Sequence, residues 1–93
     1  MNASRVGDIC TGHGCFAPRP SLTGSDNVFI NTIPAHRVGD VWKEHSCVST
    51  HDSTLAQGSA TVFVNGVGLG RVGDLVACGS TIATGSNNVF CGG

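Results

Sequence analysis

Large side chains are scarce in this sequence. Among 93 residues there are no tyrosines, one tryptophan, one methionine and four phenylalanines. A core dominated by big aromatics is therefore excluded, and a chain this short needs another source of stability, such as a metal or a disulfide. Charge is scarce as well. Charged residues make up 12% of the chain and the formal net charge is −1. The five Lys and Arg are dispersed, so no basic patch exists to offset nucleic-acid phosphates. No apolar run approaches the ~18 residues that a membrane-spanning helix needs. The opening MNASRVGDICTG has neither the basic nor the apolar region of a secretion leader. Synthesis in a reducing cytoplasm is expected, where cysteines more often bind metal or stay free than pair. Helix is disfavoured too: there are fourteen glycines, and the stretch Lys43–Gln57 has no apolar stripe of helical period.

What the sequence does have is repetition. Arg-Val-Gly-Asp occurs at Arg5–Asp8, Arg37–Asp40 and Arg71–Asp74, and a second phrase accompanies it: GSDNVFIN from Gly24, GSATVFVN from Gly58 and GSNNVFCG from Gly85. Arg37 to Arg71 and Gly24 to Gly58 are both intervals of 34 residues. A single domain, residues 1–93, built of three quasi-repeats is expected, with corresponding segments converging on one pseudo-threefold axis.

The short β-branched and aromatic run Val62–Val64 followed by Asn65-Gly66 predicts a hairpin returning through Val67 to Val72. In the preceding unit Thr32 stands in place of the glycine, so the Asn31-Thr32 turn is expected to be of another type. Val89-Phe90-Cys91 reads as a strand with no return partner, and the first unit enters at Ser4-Arg5 with no preceding hairpin. Gly7, Gly39 and Gly73 are expected at backbone bends that side chains would obstruct. Asp8, Asp40 and Asp74 are expected to bond nearby amides, and Arg5, Arg37 and Arg71 begin these structural turns.

Chemistry-bearing residues follow each turn at matched offsets. Eight residues past Arg5 is His13, eight past Arg37 is His45, and seven past Arg71 is Cys78. Superposed repeats would bring these three side chains to one spot, with His51 as a fourth donor. Three imidazoles and one thiolate suit tetrahedral zinc. Cys47 and His36 are alternative ligands. Cys91 aligns with Ile30 and Val64 and reads as a buried thiol. Cys10 aligns with Trp42 and reads as packing, with a Cys10–Cys15 disulfide as the alternative.

The chain resembles the PAAR-repeat family, the spike-tip proteins of contractile injection machines. The resemblance rests on Pro34-Ala35-His36-Arg37-Val38-Gly39-Asp40, the GSxxVFxN strands, Ala77-Cys78-Gly79-Ser80 and the closing Gly85–Phe90. It implies an all-β fold with long loops, a small three-sided cone of β-hairpins. It also implies one structural zinc near the apex, held by His13, His45, His51 and Cys78. The broad base would sit on the blunt end of a trimeric β-helical spike, in a phage tail or a type VI secretion system, and the bare length leans toward phage. No fused effector domain, no nucleic-acid partner and a monomeric free state are expected. The second copy of the namesake motif, Gly68-Leu69-Gly70-Arg71, departs from the family pattern in lacking proline and the alanines. Two further readings rest on the residues alone. One is a zinc-binding interaction module; the other is a zinc hydrolase using Glu44 or Asp52, which four ligands closing the site would oppose.

Overall fold

The three Arg-Val-Gly-Asp phrases form three like turns in the computed structural model, which describes residues 1–12, 16–46 and 50–92, with 45–46 and 50–52 described by backbone alone. Gly7, Gly39 and Gly73 have φ of 92°, 90° and 94°, in the left-handed region that glycine enters without steric cost. A Cβ at any of the three would meet nothing within 4 Å. The expected obstruction is therefore corrected: backbone conformation, not lack of room, calls for glycine here. Across each turn the Asp amide donates to the Arg carbonyl at 3.0 Å. The Asp carboxylate accepts from the Arg amide at 2.8 Å and pairs with the Arg guanidinium at 3.1, 2.9 and 2.8 Å in chain order. Burial opposes ionisation of Asp40. Hydrogen bonds from the Arg37 side chain and amide and from Thr23, with the Arg37 charge, outweigh it and hold the carboxyl below the usual carboxylate range.

The residue just before each turn lies at a common axis. The Ser4 amide donates to the Gly70 carbonyl at 2.8 Å, Gly70 to His36 at 2.9 Å and His36 to Ser4 at 3.1 Å. These three bonds form a closed ring. A second cycle runs from Val6 to Pro34, Val38 to Gly68 and Val72 to Asn2, at 2.9–3.0 Å. Bridges Ala3↔Arg71, Arg5↔Ala35 and Arg37↔Leu69 repeat the same circuit. Pseudo-threefold closure is thus written in backbone hydrogen bonds.

On one side of this ring lie three short hairpins. Strand β1 (Phe29–Ile30) pairs with β2 (Ile33–Pro34), and β5 (Phe63–Val64) with β6 (Val67–Gly68). The third hairpin corrects the expectation for both chain ends. Asn2 bridges Phe90, the Ala3 amide donates to Val89 O at 3.0 Å, and the Cys91 amide donates to Met1 O at 2.7 Å. The N-terminal segment is the return strand for Val89–Cys91, so the last and first units share one hairpin. The Asn31-Thr32 expectation is also corrected. Asn31 and Thr32 have φ of 54° and 67°, against 53° and 82° for Asn65 and Gly66. Both hairpins use the doubly left-handed turn whose twist matches the flanking strands, and Thr32 adopts it at a steric cost.

On the other side, each turn opens a second hairpin: Ile9 bridges Pro20, β3 (Val41–Ser46) pairs with β4 (Thr50–Thr54), and Leu75 bridges Thr81. Neighbouring hairpins interlock through Cys10↔Ile82, Ser21↔Trp42 and Leu55↔Val76. The core divides accordingly. Ala3, Ile30, Ala35, Val64, Leu69 and Cys91 pack beneath the ring, and Cys10, Trp42, Leu55, Val76 and Ile82 pack above it. The fold is a small all-β one, with no helix among the described residues. Its extents of 36 × 22 × 21 Å have two near-equal short axes, as a three-sided body requires.

Two predictions follow from the turns. Thr32→Gly should stabilise the protein by about 0.5–1 kcal/mol, and Gly66→Thr should destabilise it by a similar ~1 kcal/mol. Urea unfolding midpoints give both signs, and equal signs would contradict a shared turn. Because the folded Asp40 carboxyl is depressed, its contribution is present above the unfolded value near 3.8 and fades as pH falls through the folded one. Asp40→Asn should therefore be less stable than wild type at neutral pH, and the gap should close on acidification below the carboxylate range. A gap constant with pH would contradict this.

Candidate metal centre and docking face

Of the residues named above as metal ligands, His45, His51 and Cys78 fall on the hairpins above the ring. His45 and His51 are direct register partners across the β3–β4 pair. The register slips by one residue between Trp42 and His45, a bulge of the kind that re-aims side chains near a site. Cys78, a half-buried free thiol, packs against the upper core. His13, Cys47 and Cys15 lie outside the described residues, as do the side chains of His45 and His51. Among the described residues no group of three or more His, Cys, Asp or Glu is gathered to hold a metal. The parts described, a cross-strand histidine pair and a half-buried thiol, are of the right chemistry for zinc.

His36, the alternative ligand, is wholly buried at the axis. Its Nδ1 donates to the Thr23 carbonyl at 2.8 Å, and its ring meets Trp42 edge-on with centroids 5.0 Å apart. Burial, the largest influence, pushes its pKa below the ordinary histidine value, so the ring is neutral at pH 7. Cys91 is buried in the lower core. Cys10 is buried in the upper core, where its sulfur accepts the Arg19 amide at 3.3 Å.

The lower hairpins present a different chemistry. In each GSxxVF phrase the strand alternates outward and inward: Ile30, Val64 and Cys91 are buried, while Phe29, Phe63 and Phe90 are 54%, 60% and 66% exposed. Three of the chain's four phenylalanines thus stand in solvent at equivalent positions, and Met1, Val62, Val67 and Val89 on the same hairpins are exposed too. Repeated exposure of the largest apolar residues, in a chain so poor in them, marks a contact surface. A cleft of about 280 Å³ elsewhere is lined by Leu22, Val41, Trp42, Lys43 and Glu44.

Reading the residues did not single out the belt that holds the lower hairpins together. Ser25, Ser59 and Ser86 are buried, and each hydroxyl accepts two amides of its own loop. Each then donates across to the neighbouring hairpin, to Asn65, to the Gly92 carbonyl and to Asn31 respectively. Arg37, Arg71 and Arg5 reach the same three acceptors. The signal was present: Ser is identical in all three phrases, and Asn occupies the turn position in two.

Two comparisons bear on what this assembly is. No curated protein matches the chain. A family model described as the PAAR motif matches residues 11–84, which takes in the β1–β2, β3–β4 and β5–β6 hairpins and the Leu75–Thr81 one.

Proposed function

Because the chain belongs to the PAAR-motif family, the structural spike-tip proteins of contractile injection systems, we propose that it caps the blunt end of a trimeric β-helical spike and sharpens it for piercing an envelope. The exposed ring of Phe29, Phe63 and Phe90 carries this reading. One chain presents three near-equivalent apolar contacts about an axis, which is what a threefold partner can engage simultaneously. Docking there would remove the aromatic rings from water and cover open strand edges at the end of the trimer.

The opposite end would be the apex of the cone that the family resemblance implies, and there His13, His45, His51 and Cys78 would hold one zinc ion. Zinc in such a closed four-ligand site supplies structure, not catalysis. In sequence these residues follow all three Arg-Val-Gly-Asp phrases, so the shared ion would tie together the longest loops of a chain with a small core. Whether the parent machine is a phage tail or a type VI secretion system, the role of the tip is the same.

Two measurements test the two ends separately. Phe29→Ser, Phe63→Ser and Phe90→Ser combined should weaken binding to the trimeric spike by about 100-fold or more, as expected for removing the central apolar anchors of an interface. The thermal midpoint should stay close to that of wild type, because these rings already stand in solvent. Unchanged binding would remove the proposed face. Native mass spectrometry of chain purified without chelator should find one zinc per wild-type chain and less in Cys78→Ser. A folded wild-type chain at its bare mass would refute the metal centre while leaving the docking face standing.

A further inference from the structure

Among the described residues, three side-chain polar atoms are buried without a hydrogen-bond partner: Ser4 Oγ, His36 Nε2 and Trp42 Nε1. Most buried side-chain polar atoms in native proteins are paired, and each exception calls for an explanation such as an internal water. The residues that carry them adjoin one another in the fold. Ser4 and His36 hold the same repeat position at the axis, and the His36 amide donates to the Ser4 carbonyl. Trp42 meets the His36 ring edge-on. All three residues are at most 1% exposed. The third axial position is Gly70, where a Cβ would come within 2.8 Å of Leu55 Cδ2 and 3.4 Å of Ile82 Cδ1. Aliphatic side chains fill that third of the axis, and the polar atoms belong to the rest.

Their donor and acceptor roles are fixed by chemistry. The Thr23 carbonyl beside His36 Nδ1 can only accept, so Nδ1 carries the proton and Nε2 presents a lone pair. Trp42 Nε1–H can only donate, and the Ser4 hydroxyl does either. We infer that these three atoms form the binding site of one internal water molecule. It donates to His36 Nε2, accepts from Trp42 Nε1–H and completes its bonding with Ser4 Oγ. About three such bonds are usual for a buried water. A cation is opposed by the indole N–H and an anion by the imidazole lone pair, so a small neutral ligand that both donates and accepts is the species that fits. Ser4 and His36 lie in the ring between the two cores and Trp42 in the upper one, so this water pins the cores together.

The chain has one tryptophan, which makes its indole proton an unambiguous probe. On the full chain purified without chelator, a rotating-frame Overhauser spectrum should show a cross-peak between that proton and water, with the sign of dipolar contact rather than exchange. Long-range ¹⁵N–¹H spectra should place the His36 proton on Nδ1. Ser4→Ala, which removes one of three partners, should reduce the water cross-peak by roughly half or more. If that variant does not fold, the wild-type spectra decide alone. An indole proton with no water contact overturns the assignment. So does a His36 protonated on Nε2 or carrying metal there, and an unchanged cross-peak in Ser4→Ala overturns the role given to Ser4.

Discussion

Three backbone hydrogen bonds, Ser4 to Gly70, Gly70 to His36 and His36 to Ser4, are the constraint on which the rest of this structure depends. A cycle of donors and acceptors can close only if three segments surround one point in the same orientation. Once it closes, the Arg-Val-Gly-Asp turns that follow are held at equivalent places, and the hairpins on either side are launched in three directions. The ring also explains why the repeats differ where they meet. One axis cannot hold three large side chains, and the three positions carry Ser, His and Gly. His36 fills the volume, Gly70 yields to Leu55 and Ile82, and Ser4 is small. Symmetry holds in the backbone and is broken in the side chains, as close packing demands.

The hairpins below the ring depend on the same geometry. β1–β2 and β5–β6 have two residues per strand, and hairpins so short would have no stability alone. What makes them rigid is the belt of buried Ser hydroxyls, Asn side chains and Arg guanidinium groups that joins each to the next. At the seam between the two chain ends, the Gly92 carbonyl accepts the bonds that an Asn side chain accepts elsewhere. The outward Phe of each strand can therefore stay exposed without loosening the fold, because the inward neighbour and the belt do the holding. That separation of structural from contact residues suits a tip that must be stiff and still bind.

Much of this was legible in the residues. The repeated phrases, the β class and the convergence on an axis all follow from spacing. The shared hairpin of the two ends was not, because its strands lie at opposite ends of the sequence and no local pattern joins them. A clue existed in Ala3, which stands before Ser4-Arg5 as Ala35 stands before His36-Arg37, on a return strand. Thr32 misled for a different reason. Its local preference against positive φ is real, but strand register and the contacts of Asn31 with Arg5 and Ser86 outweigh it. Of the site, the pairing of His45 with His51 follows from neither offset nor composition. It depends on the one-residue slip within β3–β4, which no sequence rule locates. The Phe ring was readable in principle, since a strand alternating about a buried Ile, Val or Cys must turn its Phe outward.

With three like faces, one chain can serve a threefold partner. The deciding measurement is the mass of the complex between this chain and a trimeric spike, by light scattering after co-purification. One chain per spike trimer is expected. Three chains per trimer, each on its own subunit, would show that the pseudo-threefold axis is a feature of folding alone and plays no part in recognition.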